Sequence, residues 1–337
     1  MRIALLLTLV LVCGCFAEQF VLDGGSFSPA SEIIAPEELA LSRITHFATK
    51  GEREQLDVAI EDYAARYPEL TGADWVLYVD AERKLAVGNI DKAEPLFEKV
   101  ADDYPLSRYV GQVMEGMYSC GRQYLAGKKR RVLKLFKVSA YDEGEAIMRN
   151  LIERSPDSFL AKRAYLALAE SFEQRREYIK AYNVWVEVST RWPTGTEGRN
   201  SLLEMARNMH QAYLGTRYDA TTLRSAIGYY GQFAERYPSE AERLEVDKAI
   251  KLAIEQMADK TYAIAVQYMR VQDYESAIAY FNVIEEKWPE SPLAAEARKL
   301  IADSNKELAY LADNPREKPE NRNLIWRFMH FFEFEVK

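Results

Sequence analysis

The residues able to do chemistry are scattered rather than grouped. Three histidines, His46, His210 and His330, stand far apart, and none belongs to a metal-ligand spacing such as H-E-x-x-H. Each reads as an ordinary surface or packing residue. Cys120 has no nearby CxxC partner and reads as a small buried hydrophobe rather than a nucleophile. No G-x-S-x-G elbow is present. The stretch Gly121 to Lys128 approaches a phosphate-binding loop, but five residues separate Gly121 from Gly127-Lys128 where the motif needs four, and Lys129 stands where a magnesium-holding Ser or Thr belongs. Carboxylate pairs such as Asp102-Asp103 and Glu285-Glu286 arise by chance among 52 acidic residues. This inventory gives no catalytic residue, no metal site and no cofactor, and it points to a non-enzymatic protein that takes no small-molecule substrate.

Composition points to helices. Hydrophobic residues make up 48% and charged residues 28% of 337, a globular balance, while 16 Gly and 12 Pro leave few of the turns that an all-β fold requires. The formal charge of −8 and pI near 5.3 argue against a nucleic-acid binder, which would show a dominant basic surface. The length accommodates two ordinary domains or one elongated repeat array without a central core.

The N-terminus reads as an address. Arg2 and the apolar run Ile3 to Val12 have the form of a signal peptide, because a run of about ten apolar residues is half of what a membrane-spanning helix needs. Val12-Cys13-Gly14-Cys15 resembles a bacterial lipobox, which makes residues 1–14 the signal and Cys15 the lipid-attachment site at the mature N-terminus. Cleavage after Ala17, with Cys15 and Ala17 as the small residues, is the competing reading and gives a soluble product. Residues 15–36, with Gly24, Gly25 and two prolines, then read as a flexible tether. Cys120 is the one cysteine beyond the leader, so no internal disulfide framework is expected.

The strongest signal is a recurrence. An aromatic residue precedes proline at Tyr67-Pro68, Tyr104-Pro105, Trp192-Pro193, Tyr237-Pro238 and Trp288-Pro289, with Ser155-Pro156 as a degenerate sixth copy. Twelve residues before the proline stands a small residue in five copies (Ala93, Gly144, Ala181, Ala226, Ala277), with Leu56 the exception. Eight before it the residue is always large and apolar (Ile60, Phe97, Met148, Trp185, Tyr230, Phe281), and five before it likewise (Tyr63, Val100, Leu151, Val188, Phe233, Ile284). Offsets of four, three and four trace one face of an α-helix. The spacing predicts the second helix of a helix pair, packed through its small residue and closed by the aromatic at its end, while proline forbids continuation. The expected fold is all-α: a right-handed superhelical solenoid of about six tetratricopeptide-type (TPR) helix pairs over residues 37–313, with a C-terminal capping helix.

Units of the form Ala277-Ile278-Ala279-Tyr280-Phe281 to Trp288-Pro289-Glu290-Ser291-Pro292, preceded by a lipobox and tether, make the chain resemble the BamD family of outer-membrane lipoproteins. That resemblance implies a scaffold lipid-anchored at the periplasmic face of the outer membrane, whose repeats receive unfolded outer-membrane proteins and contact a BamA-like β-barrel insertase. The chain departs from the family in having six units where five are usual. The other reading is a soluble periplasmic TPR adaptor in envelope or division machinery, similar to the CpoB family. An envelope hydrolase would need a catalytic domain, and none fits between the repeats.

Two segments stand outside the pattern. Residues 127–137 carry six positive charges and no negative one, so without them the chain would stand at −14. As a helix this stretch would set Val132, Leu135, Phe136 and Ser139 on one side, a docking face for anionic lipid or an acidic partner; as an extended connection it would be a solvated link between helices. Lys128, Lys129, Arg130, Arg131, Lys134 and Phe136 are its candidate contact residues. Residues 314–337 form a Pro-rich linker and an aromatic tail whose Trp326 and Phe328 either cap the last repeat or serve as a ligand for another protein.

Overall fold

A computed structural model describes residues 20–23, 26–29, 35–132 and 136–314. Its described residues are overwhelmingly helical, with fourteen α-helices and two small β-hairpins, and helices that follow one another in sequence pack side by side. The chain divides into two compact units, residues 1–171 and 172–337.

In the first unit, α1 (Pro36–Lys50), α2 (Arg53–Arg66), α3 (Ala73–Ala86), α4 (Ile90–Asp103), α5 (Val110–Leu125) and α6 (Tyr141–Arg154) stack in order, and α7 (Phe159–Gln174) begins. α1 also packs on α3 and α5. The second unit takes the end of α7, then α8 (Tyr178–Arg191), α9 (Gly195–Gln211), α10 (Thr221–Arg236), the short α11 (Pro238–Arg243), α12 (Val246–Arg270), α13 (Tyr274–Lys287) and α14 (Pro292–Asp313).

The recurrence read from the sequence closes α2, α4, α6, α8, α10 and α13. At each, the residue before proline (Tyr67, Tyr104, Ser155, Trp192, Tyr237, Trp288) has φ between −124° and −143° and ψ between 57° and 74°. Its amide still donates to the carbonyl of the residue four earlier, from Tyr63 through Ile284. Proline bars its predecessor from the helical well, so the helix stops at the same place six times. Every residue at the three patterned positions is buried, including the small Ala93, Ala181, Ala226 and Ala277 with no exposed surface at all.

The first helices of the pairs end differently. After α1, α3, α5, α7 and α12 a residue in the left-handed region (Gly51, Gly88, Gly127, Arg176, Gln272) reverses the chain, and the next amide returns to a carbonyl five residues back. Arg176 and Gln272 do this with φ of 60° and 63°, which costs a residue with a Cβ about 1 kcal/mol or more. Arg176→Gly is therefore expected to stabilise the second unit by roughly 0.5 to 1 kcal/mol after the entropic penalty of glycine, read as a higher midpoint in urea.

Strands occur at two places among the described residues. The basic segment is a hairpin of β3 (Lys129–Val132) and β4 (Phe136–Ser139), with Arg130 opposite Val138 and Val132 opposite Phe136. Gly127 at φ 88° ends α5, and the β-branched and aromatic residues that follow suit a pleat better than a helix. Within the stretch read as a flexible tether, β1 (Phe20–Asp23) pairs with β2 (Ser26–Pro29), and Asp23 lies opposite Ser26.

Candidate binding groove

The first helices of the pairs leave a groove in the first unit. α1 brings Ser42, Thr45, His46, Thr49 and Lys50 to one wall of a hollow of about 400 Å³, α5 brings Gln112, Glu115 and Ser119, and α7 closes it with Arg163. A second hollow of about 440 Å³ shares Thr49, Lys50, Ser119 and Arg163 with the first and runs on to Tyr118, Arg122 and Gln123. Ala48 and Leu85 are buried next to these positions and hold α1 and α3 in place.

The lining is polar and mostly pre-arranged. Arg163 Nη1 donates to both carboxylate oxygens of Glu115, at 2.7 and 2.8 Å, and its guanidinium lies 4.1 Å from the centre of the Tyr118 ring. Arg122 pairs with Glu170 at 2.7 Å. Thr45 donates to Glu82 Oε1 at 2.9 Å and lies 3.0 Å from the Tyr78 hydroxyl. Gln112 Oε1 is buried without a hydrogen-bond partner. Hydroxyls, amides and fixed ion pairs of this kind can grip the backbone of an extended polypeptide.

Among the described residues, no three His, Cys, Asp or Glu side chains gather closely enough to hold a metal. Cys120 is fully buried, and burial pushes its thiol up, with Glu94 and Glu82 adding to the effect. His210 is held down by burial while Gln256 lies 3.1 Å from its Nε2. No helix among the described residues is long and apolar enough to cross a membrane.

None of the contact residues taken from the sequence lines this groove. Lys128, Lys129 and Arg130 sit at the base of the β3–β4 hairpin, where Lys128 donates to Gln123 Oε1 at 2.8 Å and Arg130 lies 3.4 Å from Glu143. Arg131 and Phe136 lie in the two strands. Cys15, Lys134, Trp326 and Phe328 fall outside the described residues. Sequence reasoning missed His46, Lys50, Gln112 and Arg163 because the recurrence marks second helices, and the groove is built from first helices. The available signal was the run of polar positions along α1 and α5, each opposite a buried stripe. Comparison with protein-family models and with curated proteins returns no match.

Proposed function

We propose that this chain is a non-enzymatic scaffold of the bacterial cell envelope, of the TPR class and similar in role to BamD. It is carried across the inner membrane by residues 1–14, anchored to the outer membrane through lipid on Cys15, and faces the periplasm. Its helix pairs hold partner proteins: unfolded outer-membrane proteins as extended segments in the groove of the first unit, and a BamA-like barrel insertase on the repeats nearer the C-terminus. The observation that carries the reading is the sixfold helix pair with one closing device, because such an array creates binding surface by adding units and has no need of a catalytic centre. The polar groove beside Arg163 supports it, since main-chain donors and acceptors of an extended segment find partners there.

The test is purification of the full chain from native membranes beside Cys15→Ala and Ser119→Trp versions, with mass spectrometry of the N-terminus and of co-purifying proteins. Lipid on Cys15 and an accompanying insertase are the expected result. Ser119→Trp, which fills the groove, should keep the lipid and lose at least about tenfold in bound client, as expected when a centrally placed contact region is blocked. An unlipidated chain cut after Ala17 and free of insertase would sink this reading in favour of the soluble CpoB-like adaptor.

A further inference from the structure

The two hollows of the first unit share Thr49, Lys50, Ser119 and Arg163 and so form one groove. α5 lines it from Gln112 to Gln123, a run of about 16 Å at 1.5 Å per residue, which about five extended residues would cover. α7 lies alongside, held by two ion pairs of matching spacing: Arg163 with Glu115 and, seven residues on in both helices, Glu170 with Arg122. Charge in the groove is one-sided. Its one lining carboxylate among the described residues, Glu115, is already paired with Arg163, whereas Lys50 and His46 on α1 are exposed and make no ion pair among the described residues. Arg163 donates to Glu115 through Nη1, and its Nε and Nη2 make no hydrogen bond among the described residues. This surplus of cations stands in a chain with 52 acidic against 44 basic side chains. The α7 wall adds apolar surface. Phe159, one turn before Arg163 and with its ring 5.9 Å from the guanidinium, is 72% exposed, and Leu166 is 51% exposed on the same row of the helix.

We propose that the segment held in this groove is acidic: an extended stretch of about five residues in which carboxylates facing Lys50 and His46 alternate with large apolar side chains facing Phe159 and Leu166. The proposal rests on the reading of the groove as a site for extended polypeptide and gives that polypeptide its chemistry. Alternation follows from the walls, because an extended chain turns successive side chains to opposite sides and the groove sets free cations on α1 against apolar surface on α7. The sign of the charge follows from the lining, where the carboxylate is already neutralised and the cations are in excess. The free N–H groups of Arg163 add charge-assisted donors for a carboxylate or a main-chain carbonyl.

The experiment titrates the full chain carrying Cys15→Ala into a fluorescein-labelled peptide of alternating glutamate and phenylalanine, amidated at its C-terminus, and follows anisotropy. Two companion peptides carry glutamine for glutamate or alanine for phenylalanine. The glutamate-phenylalanine peptide is expected to bind, more weakly as salt is raised, and each companion to bind at least about tenfold less tightly. Lys50→Glu should weaken the acidic peptide about tenfold and leave the glutamine peptide within about twofold, and Phe159→Ser should weaken the acidic peptide about fivefold. Both positions are exposed, so neither change touches the core, and far-UV circular dichroism checks that the helices persist. Equal binding of the glutamate and glutamine peptides, with both released by Ser119→Trp, would overturn the acidic segment while leaving the groove as a site for extended polypeptide. Binding of none of the peptides, or binding that survives Ser119→Trp, would overturn both.

Discussion

Replacing Phe97 by Ala is expected to cost the first unit about 3 to 5 kcal/mol, and replacing Gly116 by Ala about 1 to 3 kcal/mol, yet the double variant should lose clearly less than the sum. Phe97 is fully buried on α4 at the position eight before proline. Its ring fills the space over Gly116 of α5: a Cβ built on Gly116 would clash with Phe97 Cζ and come within 2.6 and 2.7 Å of its two Cε atoms. A ring is rigid, so the methyl forces the two helices apart. The better helix propensity of Ala, worth about 1 kcal/mol over Gly, offsets only part of that strain. With the ring gone, the same methyl occupies part of the vacated space, so the two changes compensate. A coupling above about 1 kcal/mol between residues in contact is the expected outcome, read by hydrogen exchange at α4 and α5. Additivity within about 0.5 kcal/mol would show that the crossing relaxes around the ring and that Gly116 is incidental.

That pair also marks the limit of what the sequence discloses. The recurring small, large, large pattern named Phe97 as a core residue and Ala93 as the close-approach site, because both answer to a period of 3.6 residues within one helix. The hole that receives Phe97 lies in the next helix, and a single glycine there has no periodicity to announce it. The same asymmetry governs the groove. Second helices end in an aromatic and a proline, a signal written in rare residues. First helices end in a left-handed residue that is glycine at Gly51, Gly88 and Gly127 but Arg176 and Gln272 elsewhere, so their closing turns are legible only in part. Arg163 and Gln112 looked like any other polar residues on a helix until α1, α5 and α7 were set side by side. The hairpin was legible only as an extended connection for a related reason: Lys and Leu are good helix formers, and only the cross-strand pairing of Val132 with Phe136 reveals the strands.

The stability of the first unit is expected to fall as pH rises from about 4.5 to about 8, by a few kcal/mol, and Glu82→Gln should remove that dependence. Glu82 lies in α3 with no exposed surface, beneath Thr45 in the groove. One carboxylate oxygen accepts from Thr45, whose hydroxyl lies beside that of Tyr78; the other, Oε2, is buried and has no partner. Burial pushes the carboxyl up to about 8, and the hydrogen bonds from Thr45 and Tyr78 only partly restore the charged form. The folded chain thus keeps a proton between pH 4.5 and 8 that the unfolded chain releases. Its stabilising effect is complete below the unfolded value and is lost as pH climbs through the folded one. In Glu82→Gln the amide still accepts from Thr45, but its two N–H groups enter the space where Oε2 lacks a partner, at about 1 to 3 kcal/mol. The native chain should therefore be the more stable of the two at pH 5 and the less stable at pH 8, with the curves crossing between. Urea midpoints of the first unit at half-unit pH steps measure this directly, and parallel curves would mean that Glu82 is solvated in solution and carries an ordinary charge.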